Sequence, residues 1–352
     1  MCESSTDPRD ALVAAPRPAP GAAVDPIVLE PVDAVEITTL VDNVFDALLP
    51  GGERVRRAGR GPEVAAALFE GGSTTAGLRA EHGFSALVTV RRGERSTTLL
   101  FDTGVSPDGM VANADALGVG FGDVQGVVLS HGHFDHAGGL VGLAGRRGVR
   151  GLPMVVHPHA WTRRRLAVPG RDAEELPTLS PRALAGEGFE LIERREPSLL
   201  VDGSVLITGE VDRTTDYERG MPPPHQAWTG TDWVHDPTVI DDQALVVHVR
   251  GQGLVVLTGC GHAGVVNIVR HAQRLTGVER LHALVGGLHL SGPAFEPTIA
   301  PTVAALTDLA PDLVVPGHCT GWRAQHALAA ALPDAWVQSS SGTTYRLAAA
   351  AA

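Results

Sequence analysis

Three histidines and an aspartate fall within one short string, Ser130-His131-Gly132-His133-Phe134-Asp135-His136-Ala137-Gly138-Gly139. The string directly follows GVVLS, a short apolar run that reads as a strand buried on both faces. Its side chains therefore emerge at a sheet edge, where α/β enzymes place their sites. Four such groups could not crowd a buried turn with nothing to bind, because their uncompensated desolvation costs several kcal/mol. Neutral imidazole and carboxylate are the ligands that suit zinc and similar divalent ions. The glycines allow the tight turns that bring non-adjacent side chains together. His131, His133, Asp135 and His136 are thus the first candidate metal ligands.

Around this loop the chain alternates strand-like and helix-like segments. VEITTLVDN reads as a strand ending in a polar turn, and EHGFSALVTV with STTLLFDTG reads as a hairpin about RRGER. Residues 158–190 read as an insertion with a little helix, and 211–240 as a long loop, a kind of segment that is often functional. A second series follows: DQALVVHVR, GLVVLTG, a helix from about Ala263, RLHALVGG, a helix near 297–310, DLVVPG, a helix near 321–332, and TTYRL. In the first of these helices Val265, Ile268, Val269 and Ala272 form one apolar stripe. The recurrence of strands and helices in both halves implies two sheets packed face to face with helices outside. Residues 1–33, rich in Ala, Pro, Asp and Ser without a sustained period, read as a disordered leader before a single domain over 34–352.

Composition narrows the function. The formal net charge of −12 repels polyanions and argues against nucleic acid, though a local metal charge leaves an anionic small substrate compatible. The three cysteines, Cys2, Cys260 and Cys319, do not form a disulfide framework. The N-terminus has no apolar run, and no stretch reaches the ~18 apolar residues of a membrane span. A soluble, cytoplasmic protein is the expectation, and the oligomeric state is left open.

HGHFDH matches the HxHxDH motif of the metallo-β-lactamase superfamily, and Phe101-Asp102-Thr103-Gly104 resembles its strand-end Asp motif. The resemblance implies an α/β fold, the αββα sandwich of two mixed sheets flanked by helices, with metals along one sheet edge. It also implies His131 and His133 on a first metal, Asp135 and His136 on a second, and Asp102 as a buried brace of the ligand loop. His318, directly after the apolar run LVV and Pro316-Gly317, resembles the last ligand of the second metal. In Gly259-Cys260-Gly261-His262, Cys260 stands where many members carry a bridging Asp, so either a thiolate bridges or no protein group does. His262 is the choice for the third ligand of the first metal, with His225 or His235 as the competing source. His289 is a candidate to face the substrate as a proton donor, or else an ordinary strand-end histidine. Arg213 could clamp an anion or lie solvated on the surface.

Further strings resemble the branch of the superfamily that includes dihydropterin–ribofuranosylaminobenzene-phosphate synthase. They are Glu81-His82-Gly83-Phe84-Ser85, Thr258 to Gly264, Gly286-Gly287-Leu288-His289-Leu290, and Pro316-Gly317-His318-Cys319-Thr320-Gly321. The expected activity is hydrolysis of an ester, phosphoester or amide-type bond in a small molecule. One or two divalent ions, zinc first and manganese or iron next, would activate water, and Asp135 would shuttle protons. The alternatives are a pterin-type condensing synthase and a non-catalytic metal-binding sensor or scaffold. Two-iron members of the superfamily tend to carry Glu where this chain has His133, which weakens an oxygen-chemistry reading.

Overall fold

A computed structural model describes residues 25–350 apart from Gly148. Two mixed sheets dominate it. The eight-stranded sheet runs, in spatial order, Phe189–Glu193, Leu152–Val156, Val124–Val128, Arg95–Phe101, Ser85–Arg92, Ala34–Val41, Thr344–Ala348 and Val55–Arg56. The six-stranded sheet runs Ser198–Leu200, Val205–Ile207, Leu245–Val249, Gly253–Thr258, Leu281–Gly287 and Leu313–Gly317. The period-two alternation of each strand sorts its residues between two faces. Val88, Val90 and Phe101 of one sheet meet Val247, Val255, Leu257 and Val285 of the other in a shared core. Leu87, Leu100 and Val127 point the other way, onto the helices Gly109–Leu117 and Leu140–Arg147. Leu254, Val256 and Leu284 lie under the helix Val265–Thr276, whose stripe of Val265, Ile268, Val269 and Ala272 is buried as its periodicity requires. This is the αββα sandwich.

The strands that matter for the site are the parallel ones. Arg95–Phe101 and Val124–Val128 are parallel neighbours, as are Gly253–Thr258, Leu281–Gly287 and Leu313–Gly317. Their C-terminal ends deliver Asp102, the 130–136 loop, the 259–262 turn, His289 and His318.

Two expectations need correction. Residues 1–24 of the expected leader lie outside the described residues, but 25–33 belong to the domain. Leu29 and Val32 are buried. The Ile27 amide donates to Leu275 O at 2.7 Å, and the Val32 amide to His248 O at 2.9 Å. Val-Leu-Glu-Pro-Val is too short for its apolar residues to show a period, yet long enough to lie along a sheet. The 211–240 segment is likewise not wholly loop. Its strands His225–Trp228 and Trp233–His235 join Arg164–Leu166 and Glu174–Glu175 in a small four-stranded sheet. These strands are two to four residues long, too short for alternation to be visible. No helix among the described residues is long and apolar enough to cross a membrane.

Candidate metal centre

Asp102 is fully buried with φ of 56°, in the left-handed region that non-glycine residues seldom adopt. Its Oδ1 accepts from the Ser130 amide, and its Oδ2 from Ser130 Oγ and His136 Nδ1, each at 2.7 Å. Ser130 Oγ, having given its hydrogen to Asp102, accepts from His131 Nδ1 at 2.9 Å. His318 Nδ1 lies 3.0 Å from Asn43 Oδ1, an oxygen that also accepts from the Gly83 amide. In three histidines, therefore, Nδ1 is turned outward to a scaffold partner, which directs Nε2 toward the centre. Backbone fit is equally tight. A Cβ on Gly259 would lie 2.1 Å from Ser130 Oγ, and one on Gly132 would lie 2.2 Å from Ala160 O, so only glycine fits at either position.

Two donor sets result. In the first, His133 Nδ1 lies 3.0 Å from His131 Nε2 and 3.1 Å from His262 Nε2. In the second, His318 Nε2 is 3.3 Å and His136 Nε2 is 3.7 Å from Asp135 Oδ2, and Cys260 Sγ is 3.2 Å from His136 Nε2. Cys260 belongs to both, since its sulfur lies within 4.8 Å of donor atoms in a group with Asp135, His136 and His318 and in another with His131 and His262. Tetrahedral zinc with Zn–N near ~2.0–2.1 Å holds its nitrogens about 3.3 Å apart, close to the spacing seen. His318 Nε2 is buried with no hydrogen-bond partner, a cost that a bound cation removes. The residues present fit a pair of divalent ions.

Electrostatics agree. Burial, helped by neighbouring imidazoles, holds His131 and His262 well below the ordinary histidine range, and burial with the Arg164 charge does the same for His133. All three present lone pairs. Burial opposes a charge on His136, but Asp135 and Asp102 outweigh it and push that histidine up to about 9. Burial likewise opposes ionisation of Asp135, yet His136 and His318 hold its carboxyl far below the usual range. Carboxylates that retain a proton on His136 would equally favour a metal cation in its place.

Of the residues singled out in the sequence, His131, His133, Asp135, His136, Cys260, His262 and His318 converge, with Asp102 beneath them. Cys260 and His262, two residues apart in the 259–262 turn, both reach the centre. His289, with φ of 46°, packs its ring tilted against that of His262, centroids 4.2 Å apart, and both line a cavity of about 320 Å³ with Tyr217, Leu288 and Phe295. Cys319 is buried, its sulfur 3.4 Å from Cys260 O. His235 is turned away, 2.9 Å from Met221 O. His225 stands one ring outside the first set, with Nε2 3.1 Å from His133 Nε2. Arg213 is neither a solvated residue nor a free clamp. It donates to His262 O at 3.2 Å and to Thr238 O, fastening the ligand turn.

Other supports escaped the sequence reading. Asp42 Oδ1 accepts from the His318 amide, Asp241 Oδ2 from the Gly132 amide, and Asp242 Oδ2 from the Ala263 amide. His82, exposed at the rim, lies 3.7 Å from Asp135 Oδ2. The polar turn Asp42-Asn43 closing a strand was the one available signal, and Asp241-Asp242 gave none.

Comparison with known proteins follows the same lines. The chain is 26% identical over 258 residues, 70% of its length and 83% of the relative's, to 7,8-dihydropterin-6-methyl-4-(beta-D-ribofuranosyl)-aminobenzene-5'-phosphate synthase of Methanocaldococcus jannaschii. It is 28% identical over 250 residues, 70% of its length and 86% of the relative's, to an uncharacterised protein of the same organism. Among solved structures it is similar to Tm1679, described as a metal-dependent hydrolase of the beta-lactamase superfamily. That match has a TM-score of 0.65 and 25% identity, covering 90% of this chain and 100% of the other. The metallo-beta-lactamase superfamily profile matches residues 79–266, more than half of the 352. With its donor sets at the edge of an αββα sandwich, the chain belongs to the metallo-beta-lactamase superfamily.

Proposed function

We propose that this chain is a metal-dependent hydrolase of a small-molecule ester, phosphoester or amide-type bond. The observation that carries the reading is the convergence of three lone-pair nitrogens, from His131, His133 and His262, beside a second set that shares Cys260. Divalent ions there, zinc best matching the mixed N, O and S donors, would supply Lewis acidity to polarise the scissile group and acidify water. The chain's own groups do the rest. Asp135, its carboxylate between His136 and His318 at the edge of the centre, would shuttle the proton. His289, in the wall of the 320 Å³ cavity, is placed to hydrogen-bond a substrate group bound there. Substrate is a small molecule, anionic ones included, because the local cationic charge outweighs the distant net charge.

A second reading, a condensing synthase acting on a phosphorylated ribosyl substrate, is favoured by the likeness to the Methanocaldococcus synthase. A sensor or scaffold is disfavoured, since it needs no cavity beside its metals. Elemental analysis combined with turnover on a panel of phosphodiesters and lactones tests the first reading. Incubation with ribofuranosylaminobenzene phosphate and an activated dihydropterin, read by mass spectrometry, tests the second. The His131→Ala/His133→Ala double variant should retain little metal after dialysis and no turnover. Full stoichiometric metal in that variant would refute the ligand loop.

A further inference from the structure

We infer that the small inserted sheet, rather than the main sandwich, sets the tautomer of His133, and that His225 is the positioning residue through which it does so. The inference rests on the metal-binding reading of His131, His133 and His262. The other histidines of the two sets that have an outward partner, His131, His136 and His318, take it from the sandwich, through Ser130, Asp102 and Asn43. His133 has no such partner there. Its Nε2 meets His225 Nε2 at 3.1 Å, and His225 lies at the start of the strand His225–Trp228 in the inserted sheet.

Donor and acceptor logic orders the pair. His225 Nδ1 lies 3.0 Å from the backbone oxygen of Asp236, which can only accept, so Nδ1 carries the hydrogen. The neutral ring then offers a bare Nε2, and His133 Nε2 must donate to it. That leaves His133 Nδ1 without a hydrogen at the point where it faces His131 Nε2 and His262 Nε2. The opposite tautomer would aim an N–H into the donor set and block a cation.

A second contact from the same sheet fixes the adjacent backbone. Arg164, buried in the strand Arg164–Leu166, pairs with Asp241 and, at 3.1 Å, with Asp236. Asp241 in turn accepts from the Gly132 amide, between the two ligand histidines. The inserted sheet thus grips the His131–His133 loop at both ring and backbone.

The test uses the full chain freed of metal, with long-range ¹H–¹⁵N correlation spectra to read histidine tautomers directly. His133 is expected to carry its hydrogen on Nε2. In His225→Phe, which cannot accept, a mixture should appear, and zinc affinity in competition with a chelator should fall ~10–100-fold. His225→Gln, whose amide oxygen accepts, should recover most of that loss. Melting temperatures verify that each variant folds. If His225→Phe does not, the parent tautomer and His225→Gln decide. An Nδ1–H tautomer in the parent overturns the inference, as does a folded His225→Phe with unchanged tautomer and zinc affinity. Because the tautomer is read without metal, a parent that shows it but binds no zinc overturns the metal reading alone.

Discussion

Cys260 is the residue on which the two donor sets depend together. Its sulfur lies among the donor atoms of both, and it occupies a turn where Gly259 and Gly261 admit no bulkier arrangement. A thiolate at this position would neutralise charge for a cation held by either set, which imidazole could not do. The expected outcome is that a cobalt-substituted sample shows an intense near-ultraviolet thiolate charge-transfer band, and that Cys260→Ser loses it. A parent without the band would remove Cys260 from the metals. His262→Ala should cost the first set one of its three nitrogens, and with it much of the bound metal. Elemental analysis of that variant against Cys260→Ser separates the contributions of ring and thiol.

Among the elements, the strand Thr344–Ala348 shows how far apart in sequence two sheet neighbours can lie. It pairs antiparallel with Ala34–Val41, setting Tyr345 opposite Ile37 and Leu347 opposite Val35. Tyr345 is wholly buried there, and its hydroxyl falls short of full hydrogen-bond geometry with the neighbouring Ser339 and Thr343. Burial pushes its phenol up to about 12. The sign follows from linkage. Below pH ~10 the phenol is protonated in both states and stability is unaffected. Above that the unfolded chain ionises while the folded one keeps its proton, so stability falls as pH rises toward 12, by about 3 kcal/mol in all. Tyr345→Phe should be at least as stable as the parent at neutral pH, because it deletes a poorly satisfied buried hydroxyl. Denaturant melts between pH 9 and 11 should show a shallower loss for the variant, and parallel losses in the two proteins would contradict this account.

At the scale of the whole molecule, residues 25–33 tie the two sheets together. The Glu30 amide donates to Gly203 O and the Val32 amide to His248 O on the six-stranded side, while the Asp33 amide donates to Arg91 O on the eight-stranded side. Leu29 packs with the outer core of the six-stranded sheet and Val32 with the core between the sheets. Burying two such side chains contributes on the order of 3 kcal/mol or more. Deleting residues 1–33 should therefore lower the melting temperature by roughly 5 °C. Val32→Ala alone should account for a part of that, and an unchanged melting temperature in the deletion would show that the tie is dispensable.

What the sequence by itself determined was whatever rests on local pattern. The candidate ligands at 131–136 were legible because their spacing follows a buried strand, so the loop's position and its donor groups come from one continuous string. The helix Val265–Thr276 was legible because its stripe repeats over three turns, and the αββα class because strands and helices recur in both halves. His262 and His318 were legible as strand-end histidines, one residue at a time. Only the tertiary structure decided what depends on which strand ends meet. It brought Cys260 and His262 into one centre together, returned Thr344–Ala348 to the first sheet beside Ala34–Val41, and gathered the strands of the inserted sheet. It also placed His225 against His133 and turned Arg213 inward onto His262 O. None of these has a sequence signature, because contacts between residues 49 or 92 positions apart leave no period in the chain. The residues that support the ligands are ordinary in type, and only their distances make them a site.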